Sequence, residues 1–251
     1  MKILCRLSLV VAAISCGQLA IANNTNLELQ IEAICHVAAL NTSATNYDNY
    51  EKQLLQLASG KVTSEDRGTV FAAIAEIYGH SMENFSEKTV YYSKAALNER
   101  ISILKSCDLY LLSGNAMEAT GRREIGVISS MAFSNSAKLY VQGLDFALEH
   151  LQTNKMVPPP SVGKFDVEPT DPQYQNVVRL HEEQVTARNK ILEQNQLINF
   201  RDEFKRRLLL LYSLKVPSMP SLDKIVSDAI GDDGRSEKIL GLLKLEIPQV
   251  K

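Results

Sequence analysis

Tryptophan is absent from the 251-residue chain, glycine is held to 12, and no β-branched run marks a strand. An all-β protein needs alternating Val, Ile, Thr or aromatic runs with turn residues between them, so that class is excluded. An excess of one charge is missing too: 27 basic and 29 acidic side chains leave a net charge of −2. Nucleic-acid binding draws on a basic surface that releases counterions from phosphates, and this balance argues against it. No segment reaches the ~20 consecutive apolar residues that span a bilayer as a helix. Leu, Ala, Glu, Gln, Lys and Arg dominate instead, the residues that lose least entropy in a helix.

The first 22 residues have the three parts of an export signal. Lys2 and Arg6 are basic, Leu7 to Ile14 are apolar, and Ala20-Ile21-Ala22 offers a cleavage site before Asn23. A second reading competes. Ala13-Ile14-Ser15-Cys16 resembles a bacterial lipoprotein box in which Cys16 is acylated, although Ala13 stands where leucine is usual. Loss of residues 1–22 removes Lys2 and Arg6 from 27 basic residues, so 25 remain against 29 acidic ones, a charge of −4. The expected destination is the periplasm or the exterior, with the membrane reached only through a lipid anchor.

Beyond this segment, apolar residues recur at spacings of three and four. Leu27, Ile31, Ile34, Cys35 and Ala38 form one stripe, and Tyr47, Tyr50, Leu54 and Leu57 a second. Thr63 to Asp66 reads as a capped helix start, and the helix it opens ends near Gly79. Ser86 is expected to cap the next helix, and another is predicted over 101–117 with Gly114 near its end. A longer helix is predicted from Arg122 to Gln152, with Ile125 and Ile128 on its inward stripe. Residues 153–172 form a linker in which Pro158, Pro159, Pro160, Pro169 and Pro172 forbid regular helix. Asp171-Pro172 then opens a helix to Leu214, about 60 Å at 1.5 Å per residue. Val178, Val185 and Leu192 supply its first-half seam, which predicts antiparallel packing on the 122–152 helix. Two short helices follow, separated by 231–234. The chain therefore reads as all-α: residues 23–120 a layer of short helices, 121–214 a long-helix hairpin, and 215–251 short C-terminal helices.

Chemical motifs do not accumulate. His181-Glu182-Glu183 begins like a zinc-protease helix, but that chemistry needs a second His at 185, which is Val. His36, His80, His150 and His181 pair with no other His or Cys at a ligand spacing, so no metal is expected. Adjacent Cys35 and His36 diverge by ~100° on a helix. Gly114 and Gly121 lack the spacing and the Lys-Ser/Thr of a phosphate loop, and no serine elbow is present. Asp232-Asp233-Gly234 reads as a turn, and Arg122-Arg123 and Lys205-Arg206-Arg207 as helix-surface charge. No catalytic residue and no cofactor is predicted.

One hairpin has a family likeness. Ala72, Ala73, Ala75 and Tyr78 precede Tyr91-Tyr92-Ser93-Lys94-Ala95-Ala96-Leu97, and 67–97 resembles a tetratricopeptide-type helical hairpin. The match covers about one repeat and lacks the glycine between helices. The resemblance implies a docking surface for a peptide or protein. Cys35 and Cys107 lie on inward stripes, four residues after Ile31 and Ile103. An oxidising compartment predicts a disulfide between them; separate buried thiols are the alternative. The function expected is a non-enzymatic exported scaffold or interaction protein of the bacterial envelope. The alternatives are a lipid-anchored lipoprotein and an enzyme whose site is assembled from scattered carboxylates.

Overall fold

Every regular element in the computed structural model is an α-helix, within the residues it describes: 27–40, 44–60, 62–81, 85–152 and 174–244. In chain order they are α1 (Leu27–Leu40), α2 (Ala44–Ala58), α3 (Ser64–Gly79), α4 (Ser86–Leu97) and α5 (Ile103–Arg123). Then come α6 (Gly126–His150), α7 (Tyr174–Ser213), α8 (Leu222–Ile230) and α9 (Asp233–Lys244). The chain is all-α. The export signal, Cys16, the cleavage site after Ala22, the linker and Asp171-Pro172 lie outside the described residues.

Local chemistry sets several helix starts. Thr63 Oγ1 accepts from the Asp66 amide at 3.0 Å, and the Asp66 carboxylate accepts from the Thr63 amide at 3.2 Å. This reciprocal box satisfies two donors that a helix start leaves orphaned. Ser102 and Ser221 cap α5 and α8 by accepting from Lys105 and Lys224 amides, each at 3.3 Å. Ser86 departs from expectation. It is the first helical residue rather than the cap, and its Oγ lies 2.5 Å from Thr120 Oγ1 and 3.2 Å from the Ala116 carbonyl. A buried hydroxyl gains more from bridging α4 to α5 than from capping its own helix.

Two apolar cores share α5. The first gathers Ile34, Leu54, Val70, Ile74 and Tyr78 from α1 to α3, with Ala96 from α4 and Leu109 from α5. The second gathers Cys107, Tyr140, Leu144, Leu197, Phe204, Leu208 and Ile225 from α5 to α8. Helix α5 runs through residues 120–121, where the sequence suggests a boundary between layer and hairpin. Gly114 does not end it. Added Cβ atoms at Gly114 and Gly121 would meet the rings of Tyr140 and Phe133, so both glycines mark where α5 and α6 come closest. Ser136 Oγ fastens the same seam by donating to the Gly114 carbonyl at 2.8 Å.

The predicted 122–152 helix is interrupted at its start. Arg122 and Arg123 close α5, and α6 begins at Gly126, whose φ of +61° suits glycine. Ile125 and Ile128 consequently lie outside the core, exposed at the turn. Helix α7 is antiparallel to α6 as expected: Gln194 bonds to the Gln152 amide and the His150 carbonyl, and Phe204 packs on Tyr140. The expected seam does not form. Val185 and Leu192 are exposed, whereas neighbouring Gln184 is buried and Ile191 half-buried. One residue is about 100° of helix rotation, and Leu197, Phe204, Leu208 and Leu211 fix that rotation from the second half.

The predicted disulfide is absent. Cys35 packs half-buried against the first core while Cys107 is buried in the second, and both are free thiols. Burial, then the charge of Glu76, pushes the Cys35 thiol up to about 11; burial, then Asp108, pushes Cys107 up to about 12. The thiolate is the nucleophile, so at pH 8 the folded chain should alkylate at Cys35 about 100-fold more slowly than a free thiol. Both residues should react at ordinary rates in denaturant. Mass spectrometry of peptides containing the two cysteines checks this, and a Cys35–Cys107 bridge would show as a linked pair.

Candidate functional site

Three polar or exposed features stand out, and their chemistry separates them. The first ties α2, α3 and α4 together. Lys88 Nζ donates to Glu51 at 2.5 Å, to Tyr78 Oη at 2.8 Å and to Asp48 at 3.0 Å. Tyr78 and Tyr92 hydroxyls both donate to Glu51. Burial would raise the Glu51 carboxyl, but hydrogen bonds from Lys88, Tyr78 and Tyr92 outweigh it and hold the group below its ordinary value. Burial and then Glu51 push both phenols up. Burial would lower the Lys88 ammonium, but its bonds to Glu51, Tyr78 and Asp48 raise it. Each shift favours the group's resting charge state, which suits a latch.

The second feature is a groove of about 480 Å³ where α4 meets α5, α6, α8 and α9. Ser93 sits on its wall, fully buried, and its Oγ has no hydrogen-bond partner. Gln53 Oε1 and Ser236 Oγ are the other such buried atoms among the described residues, and neither residue lines this groove. A buried hydroxyl without a partner costs about 1–3 kcal/mol, so its persistence beside a cavity points to an outside partner. Tyr110, Ser113 and Gln142 add polar side chains to the wall. Burial, then Cys107 and Asp145, pushes the Tyr110 phenol up and keeps it a neutral donor.

The groove combines these donors with apolar surface. Tyr110 and Phe146 pack with ring centroids 5.9 Å apart. Exposed Lys94 stands at one rim without an ion pair among the described residues. The carboxylates at the opposite rim are engaged. Arg235 Nε donates to Asp145 at 3.0 Å, its Nη2 contacts the same carboxylate, and Glu149 lies 3.6 Å away. No histidine or cysteine lines the wall. The wall offers hydrogen-bonding side chains beside an aromatic pair.

The third feature is the apolar turn between α5 and α6. Ile125 is 87% exposed, Val127 74%, and Ile128 and Met131 each 59%. A shallow groove beside it is lined by Val127, Met131, Val216, Pro217 and Pro220.

The residues weighed in the sequence are scattered. His181 and Glu182 lie exposed on α7, and Glu183 pairs with Arg179 at 2.6 Å. His150 contacts the Phe146 carbonyl at 2.9 Å. Among the described residues no three His, Cys, Asp or Glu side chains converge as metal ligands. Asp232 caps α9 by accepting from the Arg235 amide at 2.8 Å, after Gly231 with φ +69°. Arg206 and Arg207 share Glu203, and Arg122 pairs with Glu118 at 2.6 Å. Ser93, Ser113, Gln142 and Arg235 were not legible as a site. The available signal was Thr89 and Ser93, two hydroxyls on a face of α4 that also buries Tyr92 and Ala96.

The fold and groove define an all-α protein with a polar cleft between two helical cores. No family model, curated protein or solved structure matches the chain.

Proposed function

We propose that the chain is a non-enzymatic interaction protein that seats a short extended peptide in the groove between its two cores. The unpartnered Ser93 hydroxyl carries the reading, set among Tyr110, Ser113 and Gln142 on a wall whose carboxylates are already engaged. An extended peptide exposes alternating amide donors and carbonyl acceptors, which hydroxyl and amide side chains can match in either role. The likeness of residues 67–97 to a tetratricopeptide-type hairpin supports peptide docking, because α4 supplies one groove wall. An exported, envelope-resident scaffold remains the setting this proposal assumes, with residues 1–22 as the export signal. The alternative enzyme reading finds less support, since Asp145 and Glu149 answer to Arg235.

Panning a random-peptide display library on the folded chain tests this. Enriched peptides should lose at least about 10-fold in affinity on Lys94→Glu and on Gln142→Trp, changes that reverse a rim charge and fill the cleft. No enrichment, or peptides indifferent to both substitutions, would overturn the proposal.

A further inference from the structure

The apolar turn between α5 and α6 breaks local rules without a structural return. Seven consecutive residues, 122–128, are exposed, and the large apolar side chains among them point away from both cores. Ile125 occupies the N-cap of α6 and makes no side-chain cap bond, where Ser, Thr, Asp or Asn would stabilise the helix by ~1 kcal/mol. Gly126 adopts φ +61°, and a Cβ there would meet nothing, so the turn is fully open to solvent. It is nevertheless firmly held: Ser129 Oγ donates to the Gly121 carbonyl at 2.6 Å. Local sequence choices that cost stability in a well-anchored place mark a site selected for something else.

The surroundings of the turn say what it faces. Arg123 follows Arg122 at the end of α5, and Lys215 lies in the loop whose Val216 and Pro217 flank Val127. Arg122 is engaged by Glu118, but Arg123 and Lys215 have no carboxylate partner among the described residues. Glu124 is the one acid in the 122–131 stretch. An apolar tip edged by cations without a carboxylate partner is complementary to a surface that is apolar within and anionic outside. The geometry points to the interface of an anionic lipid bilayer as the occupant, with Ile125, Val127, Ile128 and Met131 entering the acyl boundary and Arg123 and Lys215 meeting phosphate groups.

A second copy fits less well. A symmetric pair would bring the same patch of each copy together, and with it the like charges of Arg123 and Lys215. Four exposed side chains are also few beside the roughly 20–30 residues a side of a stable protein pair. No described helix is long and apolar enough to cross a membrane, so the association is interfacial. This surface is separate from the peptide groove, and either assignment can fail without the other.

Flotation of the full chain with phosphatidylcholine vesicles, with and without phosphatidylglycerol, tests the inference. Binding should appear with phosphatidylglycerol and weaken as salt is added. The triple variant Ile125→Asp, Val127→Asp, Ile128→Asp should bind at least about 100-fold more weakly. Arg123→Glu with Lys215→Glu should cost about 10-fold or more and remove the salt dependence. All five positions are exposed, so unchanged helical circular dichroism and melting are expected as controls. Three results would each overturn the inference. Wild type could ignore anionic vesicles. Binding could survive the triple substitution, as it would if residues 1–22 were the anchor. The wild-type chain could form a dimer in sedimentation that the triple variant abolishes, which would assign the tip to a second copy.

Discussion

Phe204→Ala should lower the unfolding free energy by about 4 kcal/mol, within the range for emptying a fully buried aromatic site. Phe204 lies at the meeting of α5, α6 and α7, completely buried, with its ring tilted against Tyr140. Gly143 is what admits it. A Cβ at 143 would overlap the far edge of the Phe204 ring and approach Tyr110 Cβ to 2.9 Å. In an uncrowded helix interior, Gly→Ala would stabilise by up to ~1 kcal/mol through propensity alone. Here overpacking of ~1–3 kcal/mol opposes that gain, and with the ring held on all sides the clash should win. Gly143→Ala is therefore expected to destabilise by about 1–2 kcal/mol, opposite in sign to the propensity effect. The two substitutions should be strongly non-additive, because removing the ring relieves the closest overlaps at 143 and leaves only the approach to Tyr110 Cβ. Urea unfolding of both single variants and the double variant measures the coupling, expected at ~1–3 kcal/mol. A stabilised Gly143→Ala, or strict additivity, would mean that the helices do not meet at this residue.

The same contact shows what could and could not be read from the chain. Helices with their own punctuation were legible: Thr63 and Asp66 announce α3, and α7 runs within two residues of the predicted 172–214. The predicted helix end at 117, with Gly114 near it, falls six residues short of Arg123, because a close-approach glycine and a terminating glycine look alike until the neighbouring helix is placed. The break at Glu124–Gly126 was missed because its marker, Ile125, is a residue that normally argues for continuing an apolar stripe. The rotation of α7 was missed because Val178, Val185 and Leu192 repeat every seven residues as convincingly as a buried seam does. Packing elsewhere on the helix decides between two such stripes. The groove was invisible for a related reason. Its polar wall comes from residues spread over α4, α5, α6 and α9, and no one segment carries a motif.

Glu51→Ala should lower the unfolding free energy by about 3 kcal/mol, because it removes the acceptor that Lys88, Tyr78 and Tyr92 share, leaving Asp48 to Lys88 and Tyr78. The Glu51 side chain is only 16% exposed, whereas that of Lys88 is 39% exposed. Solvent therefore screens much of the charge–charge attraction, and the loss falls mainly on the buried Tyr78 and Tyr92 hydroxyls. Glu51→Gln keeps an acceptor of nearly the same shape and should cost about half as much. The pH dependence follows from the directions of the shifts. The folded Glu51 carboxyl sits below the usual 4.5, so its contribution is complete above that value and is lost as pH falls through the lower folded value. Folded Lys88 sits above the usual 10.5, so its contribution is complete below that value and is lost as pH rises through the higher folded one. The stability gap between wild type and Glu51→Ala should thus be flat from about pH 5 to pH 10 and close at both ends. Urea titrations at pH 3, 7 and 10 measure the plateau and its loss at the acid end. A gap that persists undiminished at pH 3 would show that Glu51 acts through its bulk rather than its charge, and would remove the latch from the account of how α2, α3 and α4 are held together.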